Sequence, residues 1–239
     1  MTQFLTIAHL YPREMNIYGD LGNMTAMIKR LQWRGIEARV KSVEVGESFD
    51  FDGVDLVFGG GGQDSGQSVI GQDLFDRGSK LRELAASGVP MLAICGTYQL
   101  FGRGFSTSDG REIPGIGIFN CDTVASSARM IGNIVVESRF GTLVGFENHS
   151  GQTTLDEGQE SLGRVTKGYG NNTVSKQEGS VAFNVVGTYM HGPILPKNPR
   201  LADFLLDSAL MRKYGDNKLK AIDDSLEMAA AAVAQHLPQ

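Results

Sequence analysis

The sequence has few cysteines, no long hydrophobic run and no basic leader. Two cysteines, Cys95 and Cys121, are present in 239 residues, too few for a disulfide scaffold in a chain of this length. No apolar stretch approaches the roughly 20 residues that a membrane helix requires. The first residues lack the basic and apolar regions of a signal peptide. We therefore expect free thiols, a location in the reducing cytoplasm and no integral membrane segment.

The chain also lacks an excess of positive charge. Its 22 Lys and Arg residues are outnumbered by 27 Asp and Glu residues, and the net charge is -5. Without a basic stripe, nucleic acid is not an expected partner. The hydrophobic content of 41% is that of an ordinary globular protein. We predict a single domain over residues 1–239, with a C-terminal helix at about 216–236.

Glycine is abundant, and the 31 glycines cluster after apolar runs. In the first half of the chain, strand-like and helix-like segments alternate. The strand-like segments span residues 4–9, 36–43, 54–58 and 90–94, and the helix-like segments span residues 22–34, 73–87 and 96–103. This alternation predicts an α/β fold with a mostly parallel sheet flanked by helices. Ligands of such sheets bind beyond the carboxyl ends of the strands.

The second half of the chain has a different pattern. Strand-like segments follow one another without long helices, which predicts an antiparallel extension within the same domain. These segments span residues 123–125, 133–137, 143–148 and 181–189, and the stretch 151–177 is predicted to be rich in loops. Helical spacing returns at residues 199–214 and in the C-terminal helix.

Cys95 lies where a buried strand runs into a helix, and Gly96 follows it directly. This pattern is typical of a nucleophile elbow, in which a tight turn exposes the nucleophile above the sheet. A helix N-terminus lowers the pKa of a thiol and makes the thiolate more abundant. Cys121 lacks such a junction, and we interpret it as structural. A buried strand-end thiol remains the alternative for Cys95.

A thiol nucleophile needs a base, and the chain has 4 histidines. His191 ends a strongly apolar segment and precedes Gly192-Pro193, so its side chain is expected at the rim of the sheet. We predict that His191 is the partner of Cys95. A packed strand-end histidine is the alternative.

The run of four glycines at residues 59–62 follows another buried strand. Glycines at such a place let backbone N–H groups approach a phosphate or a transient oxyanion. No lysine follows in the pattern of a P-loop, and no G-x-G-x-x-G run leads into a helix. We therefore favour an oxyanion site, with the backbone of Gly61 as the predicted donor, over nucleotide binding or a plain flexible loop.

Taken together, these segments resemble the class I (triad-type) glutamine amidotransferases, in the branch of cobyric acid synthase. The resemblance covers about residues 4–212 and implies a flavodoxin-like sheet. Within the branch, the motifs are most similar to the glutaminase subunits of lipid II isoglutaminyl synthases. They are Cys95-Gly96-Thr97-Tyr98-Gln99, His9-Leu10-Tyr11-Pro12, the segment from Met15 to Asn23, Gly60-Gly61-Gly62-Gln63-Asp64 and Tyr189-Met190-His191-Gly192-Pro193.

The resemblance implies that Cys95 attacks the side-chain amide of L-glutamine and that His191 protonates the departing ammonia. Gln99 and Arg129 are the implied substrate-binding residues, because an arginine can grip a carboxylate with two hydrogen bonds. No cofactor or metal is implied in this chain. The implied partner is a Mur-ligase-like subunit, MurT, which forms a heterodimer with the chain, uses ATP and Mg²⁺, and amidates lipid II at the inner face of the membrane.

One departure from the resemblance concerns the acid that orients the histidine. Many triad amidotransferases have a glutamate two residues after the histidine, but here no acid follows His191 until Asp203. Our hypothesis is that the partner supplies the acid or that Cys95 and His191 work as a dyad. Two other functions remain open: a glutaminase for another acceptor, of the cobyrinate type, and a non-catalytic scaffold.

Overall fold

The computed structural model describes residues 3–215 and 219–238. The strands are β1 (Phe4–Leu10), β2 (Glu37–Val43), β3 (Leu56–Gly59), β4 (Met91–Ile94), β5 (Gly104–Ser106), β6 (Glu112–Pro114), β7 (Cys121–Ser138), β8 (Gly141–Leu155), β9 (Gly163–Lys167), β10 (Gln177–Glu178), β11 (Ser180–Ala182) and β12 (Val185–Thr188). The helices are α1 (Leu21–Gln32), α2 (Asp64–Asp76), α3 (Gly78–Ala86), α4 (Gly96–Phe101), α5 (Pro199–Tyr214) and α6 (Ser225–His236).

The first sheet has six strands in the order β11-β12-β4-β3-β1-β2. All neighbours are parallel except β11 and β12, which pair antiparallel. Strands β3, β4 and β12 are buried along their whole length, because apolar side chains on both faces pack against helices or the second sheet. The predicted α/β class with a mostly parallel sheet is confirmed.

The second sheet is the predicted antiparallel extension, apart from the parallel pairing of β5 with β7. Its strands lie in the order β10-β9-β7-β5-β6, and β8 pairs with β7. The long hairpin of β7 and β8 carries a register shift between Ala125 and Met130, so the intervening residues bulge from β7. Residues 151–177, predicted to be loop-rich, contain the end of β8 and all of β9.

Two predicted element boundaries were wrong because packing outweighs local sequence preference. The helix predicted at residues 73–87 is two helices, α2 and α3, and α2 begins at Asp64 despite the glycines within it. Gln67, Ile70 and Leu74 are buried along α2, and this packing supports the weak helical sequence. The strand predicted at residues 181–189 is a hairpin of β11 and β12 that turns at Phe183, which has a φ of 55°.

The C-terminal helix is shorter than predicted. It begins at Ser225, while residues 219–224 are not helical and residues 216–218 lie outside the described residues. Arg34 donates to the carbonyl of Lys220, and Arg30 donates to Asp224. These contacts hold the segment against α1 in a non-helical path.

One hydrophobic core includes residues from both sheets, and the single domain stays a prediction. Among residues 3–215 and 219–238, no helix is long and apolar enough to cross a membrane.

Candidate active site

Cys95 occupies a strained turn between β4 and α4. Its φ of 49° and ψ of -107° are unusual for a residue with a side chain. Its N–H donates to the carbonyl of Thr188 in β12, and its carbonyl accepts from the N–H of Gln99 in α4. The chain is therefore held on both sides of the turn. The geometry is that of a nucleophile elbow, as the sequence predicts.

Gly61 brings the glycine loop against this turn. A Cβ placed at Gly61 would lie 2.7 Å from Cε1 of His191, 2.9 Å from Oδ2 of Asp20 and 3.2 Å from Cβ of Cys95. Only a residue without a side chain fits this space. Gly61 thus marks the point where Cys95, His191 and Asp20 meet.

His191 is fully buried and follows the end of β12. Its backbone forms a bridge with Phe146 of β8: His191 N–H donates to Phe146 O at 2.7 Å, and Phe146 N–H donates to His191 O at 3.2 Å. The His191 ring lies beside Cys95 and Asp20, and the charges of both act on it. The structure thus brings Cys95 and His191 together, and the bridge to the second sheet anchors the histidine. Their catalytic pairing stays a prediction.

An acid of this chain lies beside His191. Oδ2 of Asp20 is 3.4 Å from Nδ1 of His191, and both side chains are fully buried. Although no acid follows His191 in the sequence until Asp203, a carboxylate of this chain thus lies next to its ring, and the hypothesis of a partner-supplied acid or a dyad stays a prediction. Burial lowers the pKa of His191, but the charges and hydrogen bonds of Cys95 and Asp20 outweigh it and raise the pKa to about 10.

The backbone N–H groups of the glycine loop differ in whether they already have a hydrogen-bond acceptor. The Gly61 N–H donates to Oδ2 of Asp20 at 2.7 Å, and the Gly61 carbonyl accepts from the N–H of Ile17. Gly61 as the oxyanion donor stays a prediction, and that role would require Asp20 to release the amide. Within the described chain the neighbouring Gly62 N–H has no acceptor, and Gly62 lines the pocket beside Cys95.

A pocket opens above Cys95 and contains both predicted substrate-binding side chains. Arg129 lies in the bulge of β7, is exposed, and donates from Nε and Nη2 to Oδ1 of Asn148. The Arg129 side chain lines the pocket, and its binding of a carboxylate stays a prediction. The lining residues include Gly62, Gln63, Gln67, Cys95, Gln99, Arg129, Asn148, His149 and Ser150.

Gln99 reaches the same pocket, but its side-chain amide is already bonded. It accepts from Nε2 of Gln67 and donates to the hydroxyl of Tyr189 at 3.0 Å. Its role in binding substrate stays a prediction. Gln67 was not predicted from the sequence, because it lies in the part of α2 that the helix prediction left out.

Two further buried residues were missed. His149 stacks on Tyr189 with ring centroids 3.5 Å apart, and burial lowers its pKa to about 3, so its ring is neutral and apolar enough to form a pocket wall. Glu178 accepts from the Tyr189 N–H and the Thr188 hydroxyl. It thereby holds the end of β12 that leads to His191. Neither residue belongs to a local pattern that would reveal these contacts.

Cys121 is fully buried, and burial raises the pKa of its thiol to about 12. A thiol in that state is a poor nucleophile, which agrees with its predicted structural role. Within the described residues, no group of three or more His, Cys, Asp and Glu side chains is arranged to hold a metal ion. The absence of a metal in this chain stays a prediction.

The fold and the pocket match a known family. Residues 6–199 match the family model described as the CobB/CobQ-like glutamine amidotransferase domain. The chain therefore belongs to this family of glutamine amidotransferases.

Relatives that match nearly the full length of the chain carry a more specific name. The chain is 43% identical to the protein named lipid II isoglutaminyl synthase (glutamine-hydrolyzing) subunit GatD of Staphylococcus aureus, over 96% of this chain and 94% of the relative. It is 39% identical to the GatD subunit of Streptococcus pneumoniae, over 95% of this chain and 89% of the relative. A probable cobyric acid synthase of Methanothermobacter thermautotrophicus is 28% identical, over 79% of this chain and 39% of the relative. The similarity predicted from the motifs is confirmed.

Solved structures support the fold. A crystal structure of a glutamine amidotransferase matches with a TM-score of 0.58 and 18% identity, over 84% of this chain and 98% of that chain. The glutaminase domain of Trypanosoma brucei CTPS, with bound acivicin, matches with a TM-score of 0.51 and 12% identity, over 90% of this chain and 96% of that chain. The class I amidotransferase fold is thus confirmed.

Proposed function

We propose that this chain is the glutaminase subunit of a lipid II isoglutaminyl synthase, with Cys95 and His191 as its catalytic residues. The observation that carries the proposal is the joint presence of a strained, pocket-lining Cys95 and a full-length similarity to two GatD subunits. The family alone leaves the acceptor of the ammonia open, whereas the named relatives favour lipid II.

The first half of the reaction is thiol chemistry. The Cys95 thiolate attacks the side-chain amide carbon of L-glutamine, and the charge that develops on the oxygen is stabilised by a backbone N–H group of the glycine loop, at Gly61 or Gly62, and by that of Gly96. His191 donates its proton to the leaving nitrogen, so ammonia departs and a γ-glutamyl thioester remains. Water, deprotonated by His191, then attacks the thioester and releases glutamate, which restores the thiol.

Side chains at the pocket mouth bind the α-carboxylate end of the substrate. Arg129 is exposed there beside Asn148, and a guanidinium group matches the geometry of an α-carboxylate. Gln99 and Gln67 form the inner wall, where their bonded amides fix the width of the pocket around the side-chain amide of the substrate.

The second half of the reaction belongs to a partner. In the proposal the ammonia passes to a Mur-ligase-like subunit, MurT, which forms a heterodimer with this chain. That subunit holds ATP and Mg²⁺ and activates the α-carboxylate of D-glutamate in the lipid II stem peptide, so that ammonia yields D-isoglutamine. The proposed location is the cytoplasm, at the inner face of the membrane where lipid II is presented.

Reconstitution with glutamine labelled with ¹⁵N in its side-chain amide tests this function. The chain, the Mur-ligase-like subunit, ATP, Mg²⁺ and lipid II are combined, and mass spectrometry follows the label. The proposal expects ¹⁵N in the stem peptide with wild-type chain and none with Cys95→Ala.

The same experiment separates the two alternatives. Glutamate release without labelled lipid II would point to another acceptor, such as the corrinoid carboxylates amidated by cobyric acid synthases, to which this chain is also similar. Full labelling with Cys95→Ala would make the chain a scaffold and overturn the proposal.

A further inference from the structure

Gln67 is a buried glutamine in the first turn of α2. Its side chain lines the pocket that contains Cys95. A Cβ placed at Gly96 would lie 2.5 Å from Nε2 of Gln67, so the amide group of this glutamine packs directly against the residue that follows Cys95. Only a residue without a side chain leaves this space to it. Gln67 therefore reaches the turn that holds the thiol.

The side-chain amide of Gln67 begins a chain of hydrogen bonds that runs into the core. Nε2 of Gln67 donates to Oε1 of Gln99, and Nε2 of Gln99 donates to the Tyr189 hydroxyl at 3.0 Å. That hydroxyl lies 2.6 Å from Oγ1 of Thr153. Because the Tyr189 oxygen accepts from Gln99, its own proton is available to Thr153. The donors of this chain thus point from the pocket toward the core.

The oxygen at the pocket end of the chain has no donor. Oε1 of Gln67 is buried, and none of residues 3–215 and 219–238 donates to it. A buried carbonyl oxygen without a donor costs free energy, and such atoms are nearly always paired in folded proteins. Turning the Gln67 amide over would set its oxygen against Oε1 of Gln99, which also accepts. A donor that enters the pocket can complete Gln67 without disturbing the chain.

The proposed substrate carries such a donor at its reacting end. The side-chain amide of L-glutamine has N–H groups, whereas a glutamate γ-carboxylate and a γ-ester have only acceptor oxygens on the same carbon. A site built to hydrogen-bond an N–H discriminates against a ligand that lacks it, because the buried acceptor then stays unpaired. The unpaired oxygen of Gln67 therefore suits a primary amide better than an acid or an ester.

We propose that Gln67 is a specificity-determining residue of the glutaminase site, whose Oε1 accepts an N–H of the side-chain amide of L-glutamine. The inference rests on the proposed glutaminase function and deepens it. Oε1 stays beside the nitrogen while His191 donates its proton, the carbon–nitrogen bond breaks, and ammonia leaves the acyl group on Cys95 as a thioester. Glutamate, formed when water cleaves the thioester, offers no N–H to Gln67, which favours its release.

The test compares an amide substrate with an ester substrate, using the chain in complex with the Mur-ligase-like subunit. Glutamate release from L-glutamine and from L-glutamic acid γ-methyl ester is measured for wild type, Gln67→Met and Gln72→Met. Methionine keeps the length of the side chain and removes its amide group. Gln72 is the matched control, because it lies on the same helix, is exposed and donates to Asp76.

For Gln67→Met we expect the ratio of kcat/KM for L-glutamine to kcat/KM for the ester to fall on the order of 10- to 10²-fold. Gln72→Met should keep the wild-type ratio. An unchanged ratio in Gln67→Met, including equal losses on both substrates, would show that Gln67 only supports Gln99 and would overturn the inference. Undiminished glutamate release by Cys95→Ala would instead mean that the proposed function fails.

A binding measurement covers the case in which Gln67→Met does not fold. It uses Cys95→Ala, which keeps Gln67, and 5-oxo-L-norleucine, in which a methyl group replaces the amide nitrogen of glutamine. Calorimetry should show that L-glutamine binds on the order of 10-fold more tightly than this isostere, which cannot donate to Oε1. Equal affinities for the two ligands would overturn the inference.

Discussion

Gly22 and Pro193 lie so close that a methyl group on Gly22 would stand 2.4 Å from Cγ of the proline. Gly22 lies in the first turn of α1, and Pro193 lies two residues after His191. The contact sets the distance between the helix that carries Asp20 and the loop that carries His191.

Gly22→Ala should therefore reduce glutaminase activity without preventing folding. The added methyl group pushes the His191 loop away from α1, and a displacement of about 1 Å in a catalytic group can cost on the order of 10²-fold in rate. Steady-state glutamate release measures the effect. Adding Pro193→Ala to Gly22→Ala should recover most of the activity, because the nearest remaining contact is 3.1 Å, at Cβ of residue 193. A double variant as slow as Gly22→Ala would contradict this explanation.

Gly61→Ala should abolish glutaminase activity. The new Cβ would stand 2.7 Å from the His191 ring and 3.2 Å from Cβ of Cys95, so neither side chain could keep its position. A loss on the order of 10²-fold or more in kcat/KM is expected. Gly71→Ala is the control, since its Cβ would meet only Cγ2 of Ile113, at 2.7 Å and away from the pocket. Equal losses in the two variants would mean that general destabilisation explains the effect.

Arg30→Met should destabilise the chain and loosen its C-terminal segment. Arg30 is almost fully buried and pairs with Asp203 of α5 and with Asp224 just before α6. Both acids are about a quarter exposed, so the loss should be about 2–3 kcal/mol, below that of a fully buried pair. Urea unfolding gives the free energy, and limited proteolysis near residue 220 reports the segment.

Arg39→Met is the matched control for Arg30, because the pair of Arg39 with Glu37 is half exposed. Solvent screens such a pair, and its loss should leave the free energy of unfolding nearly unchanged. Similar unfolding curves for both variants would show that the Arg30 cluster does not anchor the C-terminal segment.

The stability of the fold should fall between pH 6.5 and 4 through its buried histidines. Burial lowers the pKa of His9 to about 4, while the unfolded chain takes up the proton near pH 6.5. Below that pH the unfolded state binds more protons, so the free energy of unfolding decreases as the pH falls. His9 should contribute about 2 kcal/mol of this loss between pH 7 and pH 5.

His9→Leu should accordingly flatten the pH dependence of urea unfolding, whereas the exposed His236 serves as a control when changed to leucine. The comparison uses the slope against pH rather than the stability at one pH, because the leucine also changes packing. An unchanged slope in His9→Leu would show that burial does not lower the pKa of His9 in the folded chain.

Local patterns in the sequence reveal part of this site and miss the rest for a physical reason. The strand–Cys95–Gly96–helix junction and the strand-end His191 are local features, and both were located from the sequence. Asp20 was missed, because it reaches His191 only after α1 packs against the loop at Pro193.

In the fold, too, some elements were predicted from local sequence patterns and others depend on contacts between distant segments. The α5 boundaries, Pro199–Tyr214, were predicted from apolar spacing alone. The non-helical path before α6 depends on the ion pair of Arg30 with Asp224 and on the hydrogen bond from Arg34 to the Lys220 carbonyl, which no local periodicity reports. Contacts between distant segments thus determine the path of residues 219–224, which the local sequence pattern does not predict.

The central claim is that Cys95 is the nucleophile that hydrolyses glutamine. Labelling with 6-diazo-5-oxo-norleucine, a glutamine analogue that alkylates the attacking thiol, followed by peptide mass spectrometry, tests it most directly. We predict one adduct per chain, on Cys95, that glutamine suppresses and that Cys95→Ala lacks together with glutaminase activity. An adduct on Cys121 instead, or undiminished glutamate release by Cys95→Ala, would contradict the claim.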